Sequence, residues 1–120
     1  MIDIRLKRVY DPVDPDDGLR ILVDRLWPRG FTREKLHADL WLKDIAPSAD
    51  LIQRFHQGRI LWQEFKDSYI SELALQPQAV AELLDMADRG RLTLLFAARD
   101  RDQNQAIILA EFLRAKSQAS

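Results

Sequence analysis

The side chains best able to do chemistry in this sequence stand just after two apolar runs. Asp24, Arg25, Trp27 and Arg29 follow Ile21-Leu22-Val23, and Asp100 and Asn104 follow Leu94-Leu95-Phe96-Ala97-Ala98. Arginine presents forked donors that match phosphate or carboxylate, so Arg25 and Arg29 suit an anionic ligand. Asn104 stands near the start of the last helical pattern, where free backbone N–H groups and the helix dipole favour negative charge. Trp27, beside Pro28 and Arg29, suits the wall of such a pocket. The competing reading makes Asp24 and Arg25 a structural pair that satisfies itself and nearby loop backbone, because buried charges need partners whatever their function.

No reaction is spelled out, and the catalytic residues are unknown. The candidates for acid–base work are His56, because histidine as a residue type changes charge near neutral pH, and the carboxylates Asp24 and Asp100. A histidine at a helix end more often caps that end or bonds a carbonyl, and His37 reads as surface. Asp24 and Asp100 could hold a magnesium ion against a phosphate, but no motif spacing supports a metal site. The chain has no cysteine, which excludes thiolate nucleophiles, disulfides and thiol-ligated metals. Two isolated histidines do not make a zinc site. There is no dinucleotide-binding glycine motif, no P-loop and no nucleophile elbow, and Gly18, Gly30, Gly58 and Gly90 are scattered. The cofactor is therefore unknown.

These groups need a scaffold, and 120 residues suffice for one hydrophobic core, so residues 1–120 are read as a single domain. Apolar residues make up 47% of the chain and charged residues 31%, which fits neither a disordered nor a membrane composition. A net charge of −1 gives no general pull toward nucleic acid or anionic membrane. No apolar run is long enough to span a bilayer, and the mixed N-terminus does not read as a signal peptide. The expected location is cytoplasmic.

Residues 2–10 alternate, with Ile2, Ile4 and Leu6 on one face, as in a strand with one solvated side. Residues 11–18 hold two prolines, four aspartates and a glycine, and form a loop. Residues 19–27 form a second strand, stopped by Pro28, whose consecutive Ile21, Leu22 and Val23 suit burial on both faces. Thr32 caps a helix whose apolar face is Leu36, Leu40 and Trp41, and Ser48 caps a short one carrying Leu51, Ile52 and Phe55. Trp62, Phe65, Tyr69 and Leu73 recur at helical spacing, and Pro77 opens a fourth helix that Gly90 ends. Residues 92–98 are a third strand covered on both faces. Residues 103–116 form a last helix, followed by a frayed polar tail at 117–120.

The pattern is α/β: a small, mainly parallel sheet of about three strands flanked by about five helices. The eight-residue link between the first two strands is short for a parallel crossover, so the first strand is antiparallel or not adjacent to the second.

Three phrases resemble the YeaO-like branch of domain-of-unknown-function family 488. They are Lys7-Arg8-Val9-Tyr10-Asp11-Pro12, Leu22-Val23-Asp24-Arg25-Leu26-Trp27-Pro28-Arg29-Gly30 and Trp41-Leu42-Lys43-Asp44-Ile45-Ala46-Pro47-Ser48. Phe55-His56, Trp62 with Phe65, and Leu94-Leu95-Phe96-Ala97-Ala98 extend the likeness over nearly the whole chain. The resemblance implies a small bacterial α/β protein without an agreed biochemical role. It also implies a contrast with longer relatives, which place a Cys-His-Arg phrase soon after the last strand. The corresponding stretch here is Asn104-Gln105-Ala106, with neither thiol nor imidazole.

The leading expectation is a small anionic, phosphorylated ligand bound where the strands end. The alternative is a non-enzymatic interaction domain, as a homodimer or with another partner, whose tryptophans form the contact surface. Nucleic-acid binding through Arg5, Lys7 and Arg8 is a weaker third reading, since charged edge strands more often prevent aggregation.

Overall fold

The sheet begins with β1 (Ile4–Arg8) and β2 (Leu19–Leu22), and ends with β4 (Leu92–Phe96) inserted between them. The computed structural model describes residues 2–119. Strand order is β1-β4-β2-β3, with β3 the two residues Leu40–Trp41, and every pairing is parallel. Register places Leu6 beside Leu94 and Ile21 beside Leu94, so the carboxyl ends of β1, β4 and β2 lie along one edge.

Alternation divides the core in two. Ile4, Ile21, Val23, Leu92, Leu94 and Phe96 face the larger helical layer, where Phe65, Tyr69, Leu73, Leu83 and Ile108 pack. That layer is α2 (Ala49–His56), α3 (Trp62–Ala74), α4 (Pro77–Arg89) and α5 (Gln105–Ala119). Leu22, Leu95 and Val9 face the other way, covered by Leu36, Trp27, Phe31 and Ala38. The consecutive apolar runs are thus buried on both faces, and Ile21 to Val23 and Leu94 to Phe96 are all at most 2% exposed.

β1 is not adjacent to β2, and it is parallel. β4 occupies the place between them, so residues 9–18 must cross two strand spacings and return along the sheet. Ten extended residues reach about 33 Å, enough to do this without a helix. The crossing is tied down by Asp17, at the end of a short 3-10 turn (Pro15–Asp17). Its carboxylate meets Lys7 at 2.8 Å and the buried Arg20 at 2.5 Å, and its carbonyl accepts from the Thr93 hydroxyl at 2.6 Å. Burial raises this carboxyl's pKa, but hydrogen bonds from Lys7, the Asp14 backbone N–H and Arg20 outweigh it and hold the group below its ordinary value.

The helix expected to carry Leu36, Leu40 and Trp41 is a single turn, α1 (Arg33–Leu36). His37 takes a left-handed conformation that ends it, and the Arg20 guanidinium donates to the carbonyls of Leu36 and His37, which a longer helix would need for itself. Asp39 then bonds the backbone of Arg20 in both directions, which leads Leu40 and Trp41 into β3. This is the fourth strand that periodicity missed. β2 also ends earlier than Pro28, at Leu22, although the Val23 N–H still donates to Leu95. Residues 117–119, expected as a frayed tail, continue α5, and Ser120 lies outside the described residues. Among the described residues no helix is long and apolar enough to cross a membrane.

Candidate functional site

Because β2 and β4 are parallel neighbours, the segments that follow them leave the same edge of the sheet. A cavity of about 550 Å³ opens there. Its lining includes Asp24, Arg25 and Trp27 from the exit of β2, Asp100 and Asn104 from the exit of β4, and His56 from the end of α2. Leu26, Pro28, Ile52, Phe55, Phe65, Ala97 and Ala98 make most of the remaining wall apolar. Arg29 does not line the cavity; it is exposed in the turn beyond Pro28. Arg99 lines it instead, and among the described residues its side chain has no ion-pair or hydrogen-bond partner.

Asp24 sits largely buried in this wall, held on three sides. Its carboxylate accepts from the Ala97 backbone N–H at 2.9 Å and from the Gln105 side-chain amide, and its carbonyl accepts from the Trp41 indole at 2.8 Å. Both carboxylate donors are neutral. Burial outweighs them and pushes the Asp24 carboxyl from 3.8 up to about 6. Arg25 is not its partner: the guanidinium donates to the carbonyls of Pro47 at 3.0 Å and Ala46 at 3.3 Å, tying the end of β2 to the start of α2. The structural alternative is therefore half met. Backbone groups contact each side chain, but the two do not pair with one another.

Asn104 is the buried N-cap of α5. Its side-chain oxygen accepts from the Ile107 N–H at 3.1 Å and its amide donates to the Asp100 carbonyl at 2.9 Å. The Asp100 carboxylate accepts from the N–H groups of Asp102 and Gln103, which rigidifies the turn before the helix. The backbone N–H groups of Gln105 and Ala106, in the first turn, have no intrahelical acceptor. Arg101 clamps the same turn to Asp11 through a forked pair at 2.7 and 3.0 Å.

His56 is exposed at the cavity mouth, its ring 6.3 Å from that of Phe55. Trp27 lines the cavity, donates its indole N–H to the Phe31 carbonyl and packs edge-on against Trp41. Trp62 is partly buried against the core, stacked with Phe65. Among the described residues no three His, Cys, Asp or Glu side chains cluster as a metal site would need. The basic residues of β1 are engaged: Arg5 with Asp3, Lys7 with Asp17, Arg8 with the carbonyls of Ala97 and Ala98. Arg99 begins the stretch from Arg99 to Asn104 that the strand-exit rule selects from sequence; Gln105, one residue beyond it, is the lining residue that sequence reasoning missed.

The family described as the inactive DUF488-N3 subclade matches residues 3–120. The chain is 45% identical over 114 residues to Uncharacterized protein YeaO of Escherichia coli (strain K12), covering 95% of this chain and 99% of that one. It is 37% identical over 113 residues to Uncharacterized protein Mb3100c of Mycobacterium bovis and to Uncharacterized protein Rv3073c of Mycobacterium tuberculosis, covering 94% of this chain and 95% of each. No solved structure matches it.

Proposed function

We propose, for a chain that belongs to the inactive DUF488-N3 subclade of the YeaO-like proteins, that the cavity beyond β2 and β4 binds a small ligand carrying an anionic, phosphate-like group. The observation that carries this reading is the convergence of an unpartnered Arg99 and the first turn of α5 on one side of a largely apolar cavity. Free N–H groups, helix dipole and a forked cation together suit a phosphate or carboxylate. The volume is that of ordinary small-molecule sites, and the position is where open parallel sheets bind ligands.

Binding without covalent chemistry fits the site better than catalysis. The stretch that stands where longer relatives carry the Cys-His-Arg phrase is Asn104-Gln105-Ala106, with neither thiol nor imidazole, and Asn104 spends its side chain capping α5. The description of the subclade as inactive supports the same reading. Inorganic phosphate or a nucleoside monophosphate at a hundredfold excess over its Kd should stabilise the folded chain by about 2.7 kcal/mol. The melting temperature should rise accordingly, and Arg99→Ala should remove the rise while leaving the unliganded melt unchanged. Equal shifts in both proteins would overturn the assignment.

The interaction-domain reading has its own observation in β3, an edge strand whose Leu40 and Trp41 are 37% and 39% exposed. Sedimentation showing a dimer that Trp41→Lys dissolves would support it.

A further inference from the structure

Two carboxylates near the sheet, the buried Asp17 and the partly buried Asp24, are treated very differently. Asp17 has two cations, Lys7 at 2.8 Å and Arg20 at 2.5 Å. Asp24 has none among the described residues. The Ala97 N–H and the Gln105 amide are both neutral donors, and the nearest arginine in sequence, Arg25, is spent on the carbonyls of Ala46 and Pro47. Asp100, the other carboxylate of the cavity, differs in being exposed to solvent, with one oxygen accepting from the N–H groups of Asp102 and Gln103.

A carboxylate offers about four lone-pair sites, so two donors leave Asp24 with acceptor capacity to spare. Removing such a group from water without an opposite charge is unfavourable, and native structures normally supply a cation. The protein supplies it for Asp17. For Asp24 the open side is the cavity, where Trp27, Phe55 and Phe65 form apolar and aromatic wall. Aromatic faces also favour a cation placed against them.

We infer, building on the ligand-binding reading above, that the occupant of this cavity is a small zwitterion with an apolar body. Its cationic nitrogen, an ammonium or an amidine-type group, is bonded by Asp24, and its acidic group faces Arg99 and the first turn of α5. Amino acids and amino-bearing phosphate esters share this chemistry. Relative to them, the same arrangement weakens plain phosphate or a simple carboxylic acid, whose charge would meet Asp24 without compensation.

Two matched pairs of probes test this on the unaltered chain at pH 7.5, read by shifts of the Ala97 backbone amide and the Gln105 side-chain amide in proton–nitrogen NMR spectra. L-phenylalanine is compared with 3-phenylpropionate, and O-phosphoethanolamine with ethyl phosphate; the members of each pair differ in the amine. In at least one pair the amine-bearing member should bind tenfold or more tighter, and Asp24→Asn should abolish that preference. If the acids bind as well as the zwitterions, with Asp24→Asn indifferent, the zwitterion inference fails and the anion-site reading survives. If no probe moves either amide or its cavity neighbours, both readings fail. The matched pairs decide the question on the natural chain even where Asp24→Asn folds poorly.

Discussion

Replacing Asp24 by asparagine should make the protein more stable at alkaline pH and change little in acid. The oxygen of the new side chain can accept from the Ala97 N–H, and the Gln105 amide can turn to offer its oxygen, so the geometry around the position survives the exchange. What is lost is a charge. Burial raises the Asp24 carboxyl from 3.8 to about 6, which at about 1.4 kcal/mol per tenfold change amounts to roughly 3 kcal/mol against the folded state when the group is ionised. A group whose folded pKa is raised contributes stability that is complete below its unfolded value and lost as pH rises through the folded one. The contribution of Asp24 is thus present below pH 3.8 and gone above about pH 6. Asp3, Asp11 and Asp17, whose pKa values are lowered, act in the opposite sense, but equally in both proteins. The difference between wild type and variant therefore isolates Asp24. Urea denaturation at pH 8 should show Asp24→Asn ahead by about 1–3 kcal/mol, with the gap closing by pH 4. A variant weaker by the same amount at both pH values would refute the reasoning, since Asp24 would then be an acceptor whose charge carries no penalty.

Arg20→Met removes the cation that Asp17 shares with Lys7 and the cap of two α1 carbonyls; a loss of about 3–5 kcal/mol is expected in the same assay. Gly18→Ala should cost at least about 2 kcal/mol, because φ there is +67° and a Cβ would lie 2.3 Å from the Arg91 carbonyl oxygen. Leu95→Asp, at a fully buried position, should leave the chain unfolded by circular dichroism. Ser48→Ala removes the side chain that caps α2 and bonds Glu72, and should lower stability by about 1 kcal/mol, measured as a shift of the urea midpoint.

Most of the scaffold was legible because its signals are local. Ile21-Leu22-Val23 and Leu94-Leu95-Phe96 announce two-sided burial without further context, and Ser48, Pro77 and Gly90 mark helix boundaries by their own conformational limits. β3 was illegible because Leu40 and Trp41 continue an apolar pattern from Leu36 at helical spacing. What diverts them is Arg20, sixteen and seventeen residues earlier, taking the Leu36 and His37 carbonyls. The place of β1 was open for a related reason: only the insertion of β4, from the far end of the chain, decides which strand it meets. At the cavity, the rule that ligands sit beyond parallel strands brought Asp24, Arg25, Trp27, Asp100 and Asn104 to one lining. Their partners were beyond reach of sequence. Nothing local says that Arg25 turns to Ala46 and Pro47, or that Asn104 becomes a cap, or that Arg99 rather than Arg29 faces the cavity.

The central claim is that the first turn of α5 and Arg99 form an acceptor site for an anionic group. Titrating the isotope-labelled chain with inorganic phosphate and following the backbone amides of Gln105 and Ala106 tests it directly. The account predicts saturable shifts at these two N–H groups that Arg99→Ala weakens at least tenfold. Phosphate that leaves them still, or that shifts them equally in the variant, would contradict it.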